Sequence, residues 1–316
     1  LTLLVAVLST GMLAVMWFQL EGSAIFRTLM VVFAGLVAAP TWTPRPQMVS
    51  MLLLCLTYLI LFLYRRDKER KRLFFLLPMM ILWANLHGGY ILGLAAIGSL
   101  LAGEIGDHLL LQYTEDGLDW LQIRDVAILF IVCALLTLVT PYGLGTWEIS
   151  FSTFNMQVNA LISEWLSPNF QDAVVFPYLI SILMLVGTLA LRQRRMPTWE
   201  VVTFVLFLYF SLSSRRQIGA YAIAVIPIIA RSLWDVIAAW WQRLEGYLKK
   251  EKPQILGRMQ KALMPKPTKE NKLLNLLVAA LFAVVCWGKL IYVSLPSLVE
   301  EVYNPIVFPV RAVEAL

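Results

Sequence analysis

The chain has 316 residues, 59% of them hydrophobic and only 15% charged, with a mean hydropathy of +0.74. A soluble domain carries about 25% charged residues, so that class is excluded, and no ten-residue dyad alternation marks a β-barrel. The net charge of +6 reads as basic loops of a membrane protein rather than as a nucleic-acid surface.

Apolar runs recur from end to end and predict an all-α, polytopic transmembrane helical bundle of about ten membrane segments. On hydropathy these are roughly 1–20, 23–39, 48–64, 73–86, 89–103, 126–140, 175–191, 198–213, 217–235 and 273–294. Leu1–Leu20 is already membrane-spanning in character, without a preceding Met or basic n-region, so an N-terminally trimmed chain is expected. The fourth and fifth segments are short and interrupted at Asn85–Gly89, and Pro78 is expected to kink the fourth. Residues 1–235 form the expected transmembrane core. An interfacial helix with Trp234, Trp240 and Trp241 leads into a Lys- and Pro-rich linker over 236–272, and 273–316 hold the last helix and a tail. Cys55, Cys133 and Cys286 all lie in apolar runs and suggest no disulfide framework.

Arg65, Arg66, Lys68, Arg70, Lys71 and Arg72 crowd one connection; Arg192, Arg194 and Arg195 mark a second, and 243–272 a third. An even number of segments separates these, so all three are expected on the cytoplasmic side. The acidic stretch Glu115, Asp116 and Asp119 then reads as a solvated cytoplasmic loop.

The opposite face collects the unusual residues in four connections. These are Thr41–Gln47, Trp83–Tyr90, the long loop from Thr140 to about Val175, and Ser213–Gln217. Polar residues gathered from several loops are how a polytopic protein builds a site. Arg45, Arg215 and Arg216 run against the positive-inside bias. They read either as a phosphate clamp or as partners of headgroups and Glu164. Pro44 and Pro46 restrict the backbone around Arg45. His87, beside paired glycines, offers a base, a metal ligand or a hydrogen-bonding group; no second His, Cys or close carboxylate supplies metal spacing, which favours hydrogen bonding. Glu164 beside Trp165 suits either acid–base work or pairing with an arginine. No phosphate-binding Gly-rich loop, nucleophile elbow or HExxH is found.

Taken together, Thr43-Pro44-Arg45-Pro46, Leu82-Trp83-Ala84-Asn85-Leu86-His87-Gly88-Gly89, Thr140-Pro141-Tyr142-Gly143, Ser163-Glu164-Trp165 and Arg215-Arg216 resemble a group of bacterial polytopic proteins. That group is allied to GT-C glycosyltransferases, including the protein O-mannosyltransferases and lipid A aminoarabinose transferases. The resemblance spans most of residues 30–235. It implies a GT-C-like fold in the bacterial inner membrane and sugar transfer from a polyprenyl-phosphate donor at the extracytoplasmic face. Arg45, Asn85, His87, Glu164, Arg215 and Arg216 are the implied donor- and phosphate-binding residues. The GT-C catalytic carboxylate lies in the first outer loop, which this sequence does not contain, so the catalytic residue is expected upstream, with Glu164 as the weaker local candidate. The implied partners are the lipid-linked donor and membrane lipids, not nucleic acid. No cofactor is demanded, and a divalent metal is left open. The competing classes are a transporter of a lipid-linked or anionic substrate, which would show paired repeats and midplane charges, and a non-catalytic membrane subunit.

Overall fold

The computed structural model describes residues 2–43, 45–110, 117–154, 162–192 and 195–251. The expected segment 273–294 with its tail, the linker to 272, Cys286, Arg194, Pro44, Glu115 and Asp116 lie outside the described residues. Within them the chain is all helical, with ten α-helices and no strand. They are α1 (Thr2–Gln19), α2 (Ala24–Ala38), α3 (Gln47–Asp67), α4 (Leu76–Leu86), α5 (Tyr90–Leu109), α6 (Trp120–Leu136), α7 (Gly145–Phe154), α8 (Phe176–Leu191), α9 (Thr198–Ser213) and α10 (Ile218–Glu251). Five stretches among the described residues are long and apolar enough to cross a membrane: Ala24–Thr41, Gln47–Asp67, Tyr90–Leu109, Ala173–Leu191 and Arg215–Tyr247. Val7–Gln19 and Thr198–Ser213 are apolar but shorter. The chain is thus a helical protein built for a membrane.

The packing agrees with that solvent. Ile131, Leu135, Leu183, Val186 and Val205 all face outward, a pattern that would be a liability in water and is ordinary against lipid. From Ile218 to Ala230, α10 is buried almost all round, as a helix at the centre of a bundle must be. It packs against α9, α2, α8 and α3, while α5 packs on α9 and α1 on α3.

Local chemistry sets the ends. Asp119 and Gln122 form a reciprocal capping box at the start of α6, satisfying two otherwise orphaned donors. Lys68 closes α3 in the left-handed region, with its N–H on the Tyr64 carbonyl at 2.7 Å. Three expectations change. Pro78 does not kink a helix interior: a 3-10 turn over Arg70–Phe75 precedes α4, so Pro78 sits in the first turn, where its missing N–H costs nothing. The long loop after Thr140 contains α7, held by Trp147 Nε1–H on Thr137 Oγ1 at 2.8 Å and by the Tyr90 hydroxyl on the Thr146 carbonyl at 3.2 Å. The interfacial helix expected from 236 is not a separate element. The boundary at 235 falls inside α10, whose 34 residues span about 51 Å at 1.5 Å per residue.

Gly103 shows how tightly α5 and α9 meet, because a Cβ there would fall onto the backbone N and Cα of Trp199. Gly103→Ala is expected to destabilise the bundle by about 1–3 kcal/mol, since backbone cannot yield as a side chain can. Thermal melting in detergent checks this. Gly187, with nothing near its missing Cβ, is the control, and equal melting of the two alanine variants would refute close α5–α9 contact.

Candidate functional site

All four polar connections come together at the end of the bundle that carries the start of α3. The 162–166 loop is tied to the turn before α10 through its backbone. Arg215 N–H donates to the Leu166 carbonyl at 2.8 Å, Arg216 N–H to the Glu164 carbonyl at 2.9 Å, and the Ser214 hydroxyl to the same Glu164 oxygen at 3.0 Å. Arg45 forms an ion pair with the Glu164 carboxylate across these loops. Arg215 is salt-bridged to Asp172 at 3.0 Å.

Arg216 goes inward. Its Nε donates to Gln47 Oε1 at 3.0 Å, and the Gln47 amide returns a bond to the Arg216 carbonyl at 3.0 Å. Its guanidinium lies 5.1 Å from the Trp165 ring centroid, a cation–π distance. Its Nη2 stands 3.5 Å from His87 Nε2.

The tautomer of His87 follows from its other nitrogen. Gly89 N–H donates to Nδ1 at 3.0 Å. Ser50, whose oxygen accepts the Trp83 indole N–H at 2.8 Å, is left to point its own hydroxyl proton at the same Nδ1, 2.8 Å away. Nδ1 is therefore the acceptor, and neutral His87 carries its proton on Nε2. Two donors, Nε2–H and Arg216 Nη2–H, thus face each other with no acceptor of either residue between them. An anionic oxygen placed there would satisfy both. The glycine is required: a Cβ on Gly89 would fall onto Ser50 Oγ and against His87 Nδ1.

Burial, and then the charge of Arg216, hold the His87 imidazole below its ordinary pKa. The sign follows directly. With the folded value depressed below the unfolded value of about 6.5, the stability that depends on neutral His87 is complete above that pH and is lost as pH falls through the folded pKa. Melting of the wild type should therefore decline on acidification below about pH 6.5 more steeply than melting of His87→Gln, which cannot titrate. Parallel curves for the two proteins would remove His87 as the titrating group.

Of the six residues singled out from sequence, Arg45, His87, Glu164 and Arg216 are brought together, and Arg215 lies one residue away but turned to Asp172. Asn85 does not join them. It is exposed and bonds the Ile81 and Val139 carbonyls at 2.9 and 2.8 Å, tying the end of α4 to the exit of α6. Gln47, Ser50 and Trp83 were not singled out as site residues, although Gln47 and Trp83 stand in the motif runs. Ser50 carried no signal, because a lone Ser inside an apolar segment reads as helix filler. Among the described residues no three His, Cys, Asp or Glu side chains gather in a way that could hold a metal ion.

No protein-family model, curated protein or solved structure matches this chain.

Proposed function

We propose that this chain is a GT-C-like membrane glycosyltransferase, in which a sugar leaves a polyprenyl-phosphate donor at the extracytoplasmic face of a bacterial inner membrane. In this reading the chain crosses the membrane about ten times, and the basic connections lie inside. The observation that carries it is the pair of facing donors on Arg216 and His87, held by Gln47 and Ser50. Two such donors directed at one anionic oxygen suit the departing lipid phosphate, whose charge grows as the glycosidic bond breaks. Gln47 and Trp165 hold the Arg216 guanidinium before the donor arrives, so little reorganisation is needed at the moment of reaction.

The general base has a different standing. Glu164 is engaged by Arg45 in an ion pair across the loops. Glu164 thus serves to hold Arg45 over the site.

The purified protein should bind polyprenyl phosphate more tightly than phosphatidylglycerol by about tenfold or more, the scale of a charge-assisted bond made to one lipid and not the other. Competition between the two lipids in native mass spectrometry measures this. Arg216→Ala should abolish the preference. An equal affinity for both lipids in the wild type would overturn the reading.

A further inference from the structure

The other end of the bundle has a cavity that the proposed transfer does not use. Its volume is about 520 Å³, within the range of about 300–1,000 Å³ typical of ligand pockets. Arg65, Arg66, Arg192, Arg195 and Arg231 line it, joined by the carboxylates of Glu21 and Asp235. Its inner wall is apolar, formed by Leu61, Ala96, Leu100, Ala224 and Ile228.

The arginines are positioned from behind. Fully buried Glu104 holds Arg65, and fully buried Glu200 holds Arg231. The Trp199 ring lies 5.2 Å from the Arg65 guanidinium and 5.8 Å from that of Arg231. Arg192, only 6% exposed, reaches Asp235 at 2.9 Å and Glu200 across 3.7 Å. Those carboxylates do not use up the donors. Arg192 Nε and Arg65 Nη2 are buried with no hydrogen-bond partner among the described residues, and Arg195 has no ion pair there. Buried, unused guanidinium donors are costly unless an anion meets them.

We propose that this cavity is a second binding site, which takes the phosphate head of an amphiphilic lipid on Arg192, Arg195 and Arg65 and the first carbons of its chain against the Ala96–Ala224 wall. The guanidinium fork matches phosphate oxygens. A free phosphate would share that recognition but would have no use for the apolar depth.

The test uses the purified full chain in detergent and native mass spectrometry with three probes: dioleoyl phosphatidic acid, phosphatidylcholine with the same chains, and inorganic phosphate. Phosphatidic acid is expected to bind about tenfold more tightly than phosphatidylcholine, the difference of a phosphate monoester freed from its choline. Arg195→Gln, at an exposed position that leaves the packing intact, should cut that preference. Ala224→Leu, which fills the depth, should weaken both lipids, and Gly187→Ala, where nothing lies near the added Cβ, should change nothing. Inorganic phosphate that displaces phosphatidic acid, with Ala224→Leu binding as the wild type does, would make this a soluble-anion site and overturn the lipid assignment. No preference between the two lipids, or a preference kept in full in Arg195→Gln, would overturn the site itself.

Discussion

Arg216→Ala is expected to lower glycosyl transfer per folded molecule by about 10²–10³-fold, or roughly 2.7–4 kcal/mol, the cost of losing one preorganised donor at a developing charge. The same change at Arg215 should cost far less, because Arg215 spends its guanidinium on Asp172. Arg216→Lys restores the charge but neither the planar fork nor the bond through Nε to Gln47, so it should recover only part of the activity. Gln47→Ala is the informative companion. It leaves the cation in place and removes its orientation, and should fall between the lysine variant and the wild type. The assay is sugar transfer from a polyprenyl-phosphate donor by the purified protein, normalised to the folded fraction. If Arg216→Lys is as active as the wild type, the residue is a headgroup anchor. Full activity in Arg216→Ala removes it from the chemistry.

The largest expected effect on stability lies at the other end. Glu200 is fully buried, with Arg231 on one oxygen and Arg192 3.7 Å from the other. Glu200→Gln takes the nearest counter-charge from Arg231 inside the bundle, while Arg192 keeps Asp235 at 2.9 Å, and the expected loss is about 3–5 kcal/mol. Removing Arg231 as well should return much of it: in Glu200→Gln/Arg231→Met the buried cation is gone and an apolar chain of similar length fills its place. The Arg45–Glu164 pair is the contrast. With side chains 54% and 37% exposed, it is worth at most about 1 kcal/mol, and Glu164→Gln should melt within a degree or two of the wild type. Thermal melting in detergent compares the variants. A small loss in Glu200→Gln would show that Glu21, 3.7 Å from Arg231, suffices alone.

Much of the architecture is visible without coordinates, because apolar length is a local property. Nine of the ten expected segments coincide with described helices, and the interruption at Asn85–Gly89 falls at the α4–α5 turn. What escaped was also local in origin. Gly145–Phe154 has Ser, Thr and Glu among its apolar residues, too polar for a span and too short to stand out, so α7 reads as loop. The end of α10 was cut at 235 because charge begins there, and charge marks the end of a membrane segment without marking the end of a helix.

The candidate site was half legible. Arg45, Arg215, Arg216 and Glu164 are conspicuous by sign and position alone, but their pairings are not. Which arginine meets Asp172, which meets Glu164 and which turns inward to Gln47 and His87 depends on how the 162–166 loop lies on the turn before α10. Asn85 is the contrast: its polarity at a helix break is plain in the sequence, but not that its amide ties two backbone carbonyls.

The amino-acid sequence by itself determined that this protein is helical and apolar, and that its charges divide between basic connections and one set of polar loops. Those features depend on residues near one another in the chain, where hydropathy and turn chemistry act. Only the tertiary structure decided that Ser50 orients His87, that the proton sits on Nε2, and that five arginines from three segments surround one cavity. Ser50 and His87, like the three arginine segments, lie tens of residues apart in the chain, and only the close packing of helices brings such groups together.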